Sequence, residues 1–403
     1  MRKVISLFSG CGGMDIGFHG GFEVSKKLIN TKMHPEWIES SISGKVRLKK
    51  LSNQIVFAND IKEDAKKVWQ TFFDHENLDD SIYKIGSIVD FVKTHKKEGN
   101  FFPKEVDIVT GGFPCQDFSL AGKRKGFNSH KSHENKLINS YLKPTIDNRG
   151  KLYMWMKEVI ELTKPKLFVA ENVKGMMSVP EVISTIKNDF ESVGYFVNYK
   201  ILNSANYGVP QNRERVIFIG VNKSFLKSNL HFFFQTGEIP EHLDPFPNCT
   251  HQKESDNNLM KFSKLHYVFN DLIEPWYSND LSQKKYSKAA FLGGGNNSQG
   301  QIEINLNKIS PTIRAEHHGN IEFRRLTKKN GGLNKSERYM RQRRLSVREC
   351  ARIQTFPDTC EFVINDSKGV SMSSAYTLIG DALPCLFAYN IASKIDEVWS
   401  ELF

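Results

Sequence analysis

Short apolar runs alternate with segments of helical spacing through the first half of the chain. The apolar runs, which predict strands, are residues 4–8, 55–58, 106–110, 167–171 and 216–221. Between them, apolar positions recur at the spacing of an amphipathic helix in residues 61–73, 152–163 and 179–193. Strands that alternate with helices in this way are typical of an α/β fold with a mostly parallel sheet.

Two stretches interrupt this alternation. Residues 25–53 carry many lysines and polar residues, and residues 128–146 lengthen the segment that follows the third predicted strand. Neither stretch continues the strand and helix pattern around it. We predict that both are insertions that form surface loops.

The regular alternation stops near residue 222. Residues 223–300 mix aromatic, proline and polar positions, and residues 324–352 contain eleven Lys or Arg. Residues 376–384 predict a loop, and residues 386–398 predict a helix. We expect an α/β domain over 1–222, a smaller, irregular β-rich domain over 223–345, and a C-terminal segment, 346–403, that returns to the first domain.

Composition narrows the classes of protein that fit. The net charge of +11 and the pI near 9.1 favour a polyanionic partner such as nucleic acid. The six cysteines are scattered without a CxxC pair, which argues against disulfides and zinc and fits a reducing cytosol. No stretch approaches the ~20 apolar residues of a membrane span. We therefore expect a cytoplasmic protein without a metal site.

Three groups of reactive side chains lie where predicted strands end or begin. Cys115, in the loop GGFPCQDFS, follows the third predicted strand, and Glu171 ends the fourth. Arg213 and Arg215 directly precede the fifth. In open α/β sheets chemistry concentrates at the carboxyl edge of the strands, so these residues form a candidate catalytic constellation with Cys115 as nucleophile. The structural alternatives are a small buried Cys, a helix-capping Glu and surface Arg salt bridges.

A glycine-rich turn follows the first predicted strand. The segment FSGCGG, residues 8–13, joins that strand to a helix, and Asp60 closes the second strand, where an acidic residue binds ribose hydroxyls. No phosphate-binding GxxxxGK[ST] motif is present. The pattern favours an adenosyl ligand without a diphosphate. The alternative is a plain turn with a solvated Asp.

Seven motifs in a fixed order carry a family resemblance: FSGCGG, AND, GGFPCQDFS, ENV, QNRERVIFIG, RECARIQTFPD and YTLIGDALP. This set resembles the DNA (cytosine-5)-methyltransferases of bacterial modification systems. The resemblance implies a Rossmann-like domain that uses S-adenosylmethionine. It also implies that Cys115 adds to cytosine C6, Glu171 protonates N3, Arg215 holds O2 and Arg213 supports the site.

The same resemblance implies a set of cofactor contacts, with two departures from the family pattern. Ser87 stands where the family usually has Asp, and Asp381 stands where it usually has Asn. Both departures bear on cofactor affinity more than on reaction type. The implied cofactor contacts are Phe8, Gly10, Gly12, Gly13, Asp60, Ile61, Ser87, Leu152, Asp381 and Ala382.

The target atoms of such an enzyme lie inside a base stack, so the cytosine must be flipped out of duplex DNA. The resemblance places a variable target-recognition domain at residues 223–345 and a short DNA-gap element at residues 311–313. The arginine-rich tract has three interpretations: it reads bases, binds phosphates, or forms a solvated basic face. The implied DNA contacts are Ser119, Lys123, Arg124, Thr312 and Arg314.

Three functions remain open from the sequence. The favoured one is a monomeric modification enzyme whose cognate restriction endonuclease acts on the same DNA site without a stable complex. The others are the tRNA-directed branch of the same family and a non-catalytic DNA-binding relative. Methyltransferases that act on exocyclic amines are disfavoured because the chain contains no Pro-Pro motif.

Overall fold

The computed structural model describes residues 1–114, 152–178, 180–287, 303–315, 323–324, 343–364 and 369–403, with only the backbone at 180, 323 and 324. Its strands are β1 (Arg2–Leu7), β2 (Glu23–Ser25), β3 (Ile38–Ile42), β4 (Lys45–Leu48), β5 (Asn53–Asp60), β6 (Tyr83–Ile85), β7 (Ile108–Gly112), β8 (Leu167–Val173), β9 (Tyr195–Asn203), β10 (Glu214–Asn222), β11 (His251–Gln252), β12 (Met260–Lys261), β13 (Phe323–Arg324) and β14 (Arg343–Arg344). Its helices are α1 (Gly13–His19), α2 (Glu63–Phe73), α3 (Ile88–Glu98), α4 (Leu152–Thr163), α5 (Pro180–Glu191), α6 (His231–Thr236), α7 (His266–Phe269), α8 (Leu281–Lys284), α9 (Val347–Ile353), α10 (Met372–Asp381) and α11 (Cys385–Leu402).

Seven strands form the main sheet in the order β6-β5-β1-β7-β8-β10-β9. Neighbouring strands are parallel except at β10, which runs antiparallel to both β8 and β9. The predicted α/β class with a mostly parallel sheet is therefore confirmed. The sequence pattern located five of these strands and missed β6 and β9.

Both faces of the main sheet are covered, as the apolar strand sequences require. Neighbouring residues on β1 point to opposite faces, so Val4 and Ile5 belong to different buried clusters. The Val4 cluster includes side chains of α1, α2 and α11, and the Ile5 cluster includes side chains of α3, α4 and α5. The carboxyl edge of the parallel strands lies between these layers.

The prediction of a surface loop over residues 25–53 is wrong. The strands β2, β4 and β3 form a separate antiparallel sheet in that order. Polar and apolar residues alternate along β4, and its apolar members Val46 and Leu48 are buried. Trp37 packs edge-on against Tyr389 of α11 with ring centroids 5.3 Å apart. The second predicted insertion, 128–146, lies outside the described residues.

The prediction of a loop over residues 376–384 is also wrong, because α10 continues to Asp381. Tyr376, Leu378 and Ile379 are buried along this helix and anchor it to the core. Gly380 does not end the helix, since its missing side chain instead allows a close approach to another segment. The predicted helix over 386–398 is confirmed within α11.

The described part of residues 223–345 contains short helices and two-residue strands. Its apolar side chains Leu226, Phe246, Val268 and Leu306 belong to the same buried cluster as α11. The division of the chain at residues 222 and 345 stays a prediction. Of the helices described, none has the length and apolar character that a bilayer crossing requires.

Candidate active site

The glycine-rich turn is fixed at the carboxyl edge of β1 by hydrogen bonds to its own backbone. The Asp60 carboxylate, at the end of β5, accepts a hydrogen bond from Gly10 N at 3.0 Å. The Tyr83 hydroxyl donates to Gly10 O at 2.8 Å. Gly10 and Gly12 have φ of 53° and 90°, backbone values that favour glycine. Asp60 therefore stabilises the conformation of the turn and also lies next to it.

The glycines of this turn differ in what surrounds them. A Cβ on Gly12 would lie 2.8 Å from Trp69 Cδ1, and one on Gly13 would lie 2.2 Å from Leu383 O. In contrast, no described atom lies within 4 Å of a Cβ built on Gly10. The turn is thus packed against protein on one side and open beside Gly10, which leaves room for a ligand to contact the backbone.

The buried carboxyl group of Asp15, which the sequence analysis missed, lies beneath this turn. Ser6 Oγ donates to it at 2.5 Å and Trp69 Nε1 donates at 2.8 Å. Burial raises the pKa of Asp15 to about 6, although these hydrogen bonds oppose the shift. Asp15 lies in the first turn of α1. The signal in the sequence that could have found it is an acidic residue among apolar ones.

The other predicted cofactor residues occupy several positions around the turn. Ser87 is the N-cap of α3, where its hydroxyl accepts a hydrogen bond from Val89 N at 3.3 Å. Ile61 is 40 % exposed, whereas Leu152 is buried at the start of α4. Phe8 is half-buried next to the turn.

Asp381 and Lys62 form an ion pair at the mouth of the turn. Lys62 Nζ lies 3.1 Å from Asp381 Oδ2, and both side chains are partly exposed. Burial alone would lower the pKa of Lys62, but attraction to Asp381 and Asp60 outweighs it and raises the pKa. The backbone of Ala382 follows Asp381 and caps α10 by donating to Leu378 O. The pair joins the end of β5 to the end of α10.

Glu171 and Arg215 meet on neighbouring strands. Arg215 Nε lies 2.7 Å from Glu171 Oε1, and the two side chains are 11 % and 12 % exposed. Because β10 is antiparallel to β8, the start of β10 lies at the edge where β8 ends. This geometry explains why the arginines precede their strand in the sequence while Glu171 lies towards the end of its own.

Burial raises the pKa of Glu171 above its ordinary value, although Arg215 and Arg213 both favour the charged form. A carboxyl group that retains a proton more readily than usual is suited to donate one. Gly112 lies beside Glu171 in the parallel register of β7 and β8. A Cβ on Gly112 would lie 2.9 Å from Glu171 Oε2, so the carboxylate lies over bare backbone there.

The loop after β7 enters the same edge. Asn172 Nδ2 donates to Phe113 O at 3.1 Å, which ties the segment before Cys115 to the segment that carries Glu171. Pro114 is the last residue described before a gap in the described ranges. The predictions for Cys115, Ser119, Lys123 and Arg124 fall outside the described residues.

Arg213 is fully buried, and its side chain binds backbone carbonyls rather than facing the carboxyl edge of the main sheet. Its guanidinium donates to Ile313 O at 2.9 Å and to Gly380 O at 2.8 Å. The Thr312 hydroxyl donates to Asn212 O at 2.6 Å, so the predicted DNA-gap element is anchored to the segment before β10. Arg314 follows in the same segment. The structure thus brings these residues together around the start of β10.

Two arginines of the basic tract, Arg343 and Arg348, are engaged inside the protein. Arg343 forms ion pairs with Glu349 at 2.7 Å and with Glu274 at 3.0 Å, and its side chain is 2 % exposed. Arg348 pairs with Asp280 at 2.6 Å. For these two arginines, base reading, phosphate binding and a solvated face are all wrong, because both guanidinium groups are buried and paired with acidic side chains.

The described residues include no group of three or more His, Cys, Asp or Glu placed to hold a metal ion.

The chain belongs to the family of C-5 cytosine-specific DNA methylases, whose pattern matches residues 2–397. It is therefore a DNA cytosine-5 methyltransferase.

Its relatives include Type II methyltransferases from several bacteria. M.BsuRI of Bacillus subtilis is 31 % identical over 413 residues, which cover 98 % of this chain and 79 % of that protein. M.FnuDI of Fusobacterium nucleatum is 29 % identical over 412 residues, which cover 99 % of this chain and 95 % of that protein. The family and these relatives favour the DNA-directed enzyme over the two other functions that the sequence left open.

Solved structures of methyltransferases share the fold. The Dnmt2 methyltransferase of S. pombe superimposes with a TM-score of 0.58 at 14 % identity, covering 100 % of this chain and 99 % of that one. The Entamoeba histolytica methyltransferase EhMeth also gives 0.58, at 15 % identity, covering 100 % and 98 %. At such identities the likeness shows the fold alone.

Proposed function

We propose that the protein methylates C5 of a cytosine flipped out of a specific duplex DNA sequence, as the modification enzyme of a restriction-modification system. The family and the Type II relatives support the system. The observation that carries the catalytic part is the Glu171–Arg215 pair beside Gly112, three residues before Cys115. We further propose a cytoplasmic monomer whose cognate restriction endonuclease acts on the same site without a stable complex.

S-adenosylmethionine fits the residues at the glycine-rich turn. The open space beside Gly10 admits a ligand to the backbone, and the Asp60 carboxylate lies next to it to accept from ribose hydroxyls. Bound there, the cofactor supplies a methyl group on a positively charged sulfur. The residues that would hold it are Phe8, Gly10, Gly12, Gly13, Asp60, Ile61, Ser87, Leu152, Asp381 and Ala382.

The chain's own residues make cytosine reactive. The Cys115 thiolate adds to C6, forming an S–C6 bond and moving electron density towards N3 and C5. Glu171, whose pKa burial raises above its ordinary value, donates a proton to N3 as negative charge builds there. Arg215 binds O2 and stabilises the same charge. After methylation a base removes the C5 proton, the S–C6 bond breaks to restore the thiolate, and the N3 proton returns to Glu171.

Arg213 is proposed as a positioning residue rather than a group that touches the base. Its guanidinium is fully buried on the carbonyls of Ile313 and Gly380. It would therefore hold the DNA-gap element that contains Thr312 and Arg314 next to the start of β10. Ser119, Lys123 and Arg124 are proposed to contact DNA phosphates.

Substitution of the nucleophile tests this mechanism. Cys115→Ser should abolish methyl transfer to DNA, because a hydroxyl is a far weaker nucleophile, and should leave cofactor affinity unchanged by calorimetry. The wild type should form a covalent complex with DNA that carries 5-fluorocytosine, and Cys115→Ser should not. Cys249→Ser, at a half-buried cysteine, is the matched control and should retain activity. Near wild-type methylation by Cys115→Ser would refute the mechanism.

Mapping the modified base tests the biological role. Bisulfite sequencing of DNA from cells that express the protein should show methylated cytosines at one recurrent sequence. Methylation without a sequence preference would contradict a modification enzyme. Methylation of tRNA in place of duplex DNA would contradict the proposed substrate.

A further inference from the structure

Two buried glutamines connect segments that lie far apart in the sequence. Gln211 and Gln354 are both fully buried. Ile313 N donates to Gln211 Oε1 at 2.9 Å, and Gln211 Nε2 donates to Gln354 Oε1 at 2.7 Å. Gln354 Nε2 then donates to Ile379 O at 2.7 Å and to Ala382 O at 3.1 Å. We call these two side chains and their hydrogen bonds the amide chain.

The ends of the amide chain fix its direction. The backbone N–H of Ile313 only donates, and the carbonyls of Ile379 and Ala382 only accept. Turning either amide over would place donor against donor or acceptor against acceptor in a region without water access. The amide chain therefore has one fully satisfied arrangement, which holds both of its ends at fixed positions.

Two further contacts join the same ends. Arg213 donates from one guanidinium to Ile313 O and Gly380 O. A Cβ on Gly380 would lie 2.2 Å from the carbonyl carbon of Arg314, so the two backbones touch directly. Residues 311–315 and 379–382 are consequently packed as one unit, with little room for either to shift alone.

We propose that Gln211 and Gln354 are positioning residues that couple occupancy of the cofactor site to the placement of the DNA-contacting segment 311–315. The inference rests on the proposed function, which gives Asp381 and Ala382 a role towards the cofactor and Thr312 and Arg314 a role towards DNA. A ligand that orders residues 379–382 orders residues 311–315 through the amide chain. By thermodynamic linkage DNA then strengthens cofactor binding by the same factor.

Binding measurements on the full chain test the coupling without methyl transfer. The probe is S-adenosylhomocysteine, and the DNA is a duplex that contains the site mapped by bisulfite sequencing. In the wild type, saturating S-adenosylhomocysteine should lower the Kd for DNA about tenfold. In Gln354→Met, which keeps the length of the side chain but no amide, this ratio should fall to about threefold, since Arg213 and the Gly380–Arg314 contact still join the two segments. The Kd for S-adenosylhomocysteine without DNA should stay within about threefold of wild type.

Two other variants separate coupling from loss of stability. Gln211→Glu keeps an acceptor for Ile313 N but loses the donor to Gln354, so it should also reduce the ratio. Asn390→Ala is the matched control, because its buried amide donates to Tyr207 O and Leu386 O outside the amide chain. It should lower the melting temperature and retain the wild-type ratio.

Each outcome decides the proposal. A wild-type ratio near one, or a full ratio in Gln354→Met, overturns it. If Gln354→Met does not fold, the ratio measured on Gln211→Glu gives the answer. A wild type that binds the cofactor product but no DNA contradicts the proposed function rather than the amide chain.

Discussion

Gly112 determines how closely the backbone of β7 approaches the Glu171 carboxylate. A side chain at position 112 would lie closer to Glu171 Oε2 than real Cβ atoms lie to neighbouring atoms. The carboxylate would have to shift to make room, and its other oxygen, Oε1, lies 2.7 Å from Arg215 Nε. Glycine therefore allows the ion pair and the β7–β8 pairing to exist together.

Gly112→Ala should displace the Glu171 carboxylate and lower kcat by about 10- to 100-fold, since small misplacements of catalytic groups have effects of this size. Cofactor affinity should not change, because the glycine-rich turn lies on another strand. Single-turnover methylation and calorimetry measure the two quantities. Thr110→Ser, a smaller change at a buried position of the same strand, should remain active. An unaltered kcat in Gly112→Ala would mean that the position of Glu171 does not limit the reaction.

Two buried ionisable groups give stability opposite dependences on pH. Burial lowers the pKa of His251 to about 4 and raises that of Asp15 to about 6. Between pH 6.5 and 4 the unfolded chain protonates His251 and the folded chain does not, so acid destabilises the fold. Between pH 6 and 3.8 the folded chain binds the proton on Asp15 more tightly, so acid stabilises it. The two effects oppose each other.

Replacing one of these two groups should reveal the effect of the other on the pH dependence of stability. From pH 7 to pH 5, the free energy of unfolding of His251→Gln should rise by about 2 kcal/mol relative to that of the wild type, because the acid-sensitive group is gone. Over the same change of pH, the free energy of unfolding of Asp15→Asn should fall by about 1 kcal/mol relative to that of the wild type. Urea unfolding at the two pH values measures both. Parallel shifts of the two variants in one direction would show that these groups do not set the difference.

At the scale of elements, the inserted sheet of β2, β3 and β4 and its connecting loop are bonded to the region that follows β10, and we call this set of contacts the brace. Asn30, which is buried between β2 and β3, donates from Nδ2 to Thr250 O at 3.0 Å and to Asn258 O at 2.7 Å. Lys45 of β4 lies 2.8 Å from Asp358. The insertion therefore connects the first part of the chain with segments more than 200 residues later.

Asn30→Ala should lower the free energy of unfolding by about 2 kcal/mol, because the buried carbonyl of Thr250 and the carbonyl of Asn258 lose their donor. It should also weaken DNA binding more than cofactor binding, since the brace contacts the region predicted to recognise DNA. Ser41→Ala, on the exposed strand β3, is the control and should change neither. Denaturant unfolding and the two Kd values distinguish the cases. Equal weakening of both ligands would argue for a general loss of structure.

Sequence patterns located the elements whose hydrophobic signal is local and strong. β1, β5, β7, β8 and β10 are central strands with continuous apolar runs, so each was found. The edge strands β6 and β9 were missed, because β6 has three residues and β9 is exposed in its middle. Residues 376–384 were predicted to form a loop, whereas α10 continues to Asp381 and its Gly380 packs against another segment.

The candidate site was predictable to a similar extent. Glu171 and Arg215 were found because motif order and strand edges bring them together, and the structure places them in contact. Lys62, Gln211 and Gln354 were not assigned roles, because Lys62 pairs with a residue 319 positions away and the two glutamines, which bond each other, lie 143 positions apart in the sequence. Polar residues of this kind carry no periodic signal, so only the tertiary structure reveals their pairing.

At the scale of the whole molecule, part of the basic composition is neutralised internally. Arg343, Arg348 and Arg352 each pair with acidic side chains in the described core. Acidic partners also surround Lys45 and Lys62. Each such pair adds nothing to the net charge of +11, so the positive excess lies on residues outside these pairs. Attraction to DNA must come from cations elsewhere in the chain, among which Lys123 and Arg124 are predicted.

Arg343→Met should lower the free energy of unfolding by about 3–5 kcal/mol, because Glu349 would be left buried and unpaired. It should not change the slope of log Kd for DNA against log salt concentration. Lys123→Gln should reduce that slope by about one unit, as expected for one phosphate contact. The double variant Arg343→Met/Glu349→Met removes the unpaired charge and should recover stability. A slope reduced by Arg343→Met would place this arginine on DNA.

The glycine-rich turn between β1 and α1 is supported by the far end of the chain. α1 packs against α11 so closely that a Cβ on Gly17 would lie 2.4 Å from Ala388 Cβ. During synthesis the turn leaves the ribosome early, whereas its support follows the predicted target-recognition region. We expect a chain that is shortened before α11 to lack this support for the glycine-rich turn. We therefore expect methyl transfer to begin only after α11 has been made, later than the predicted target-recognition region, residues 223–345.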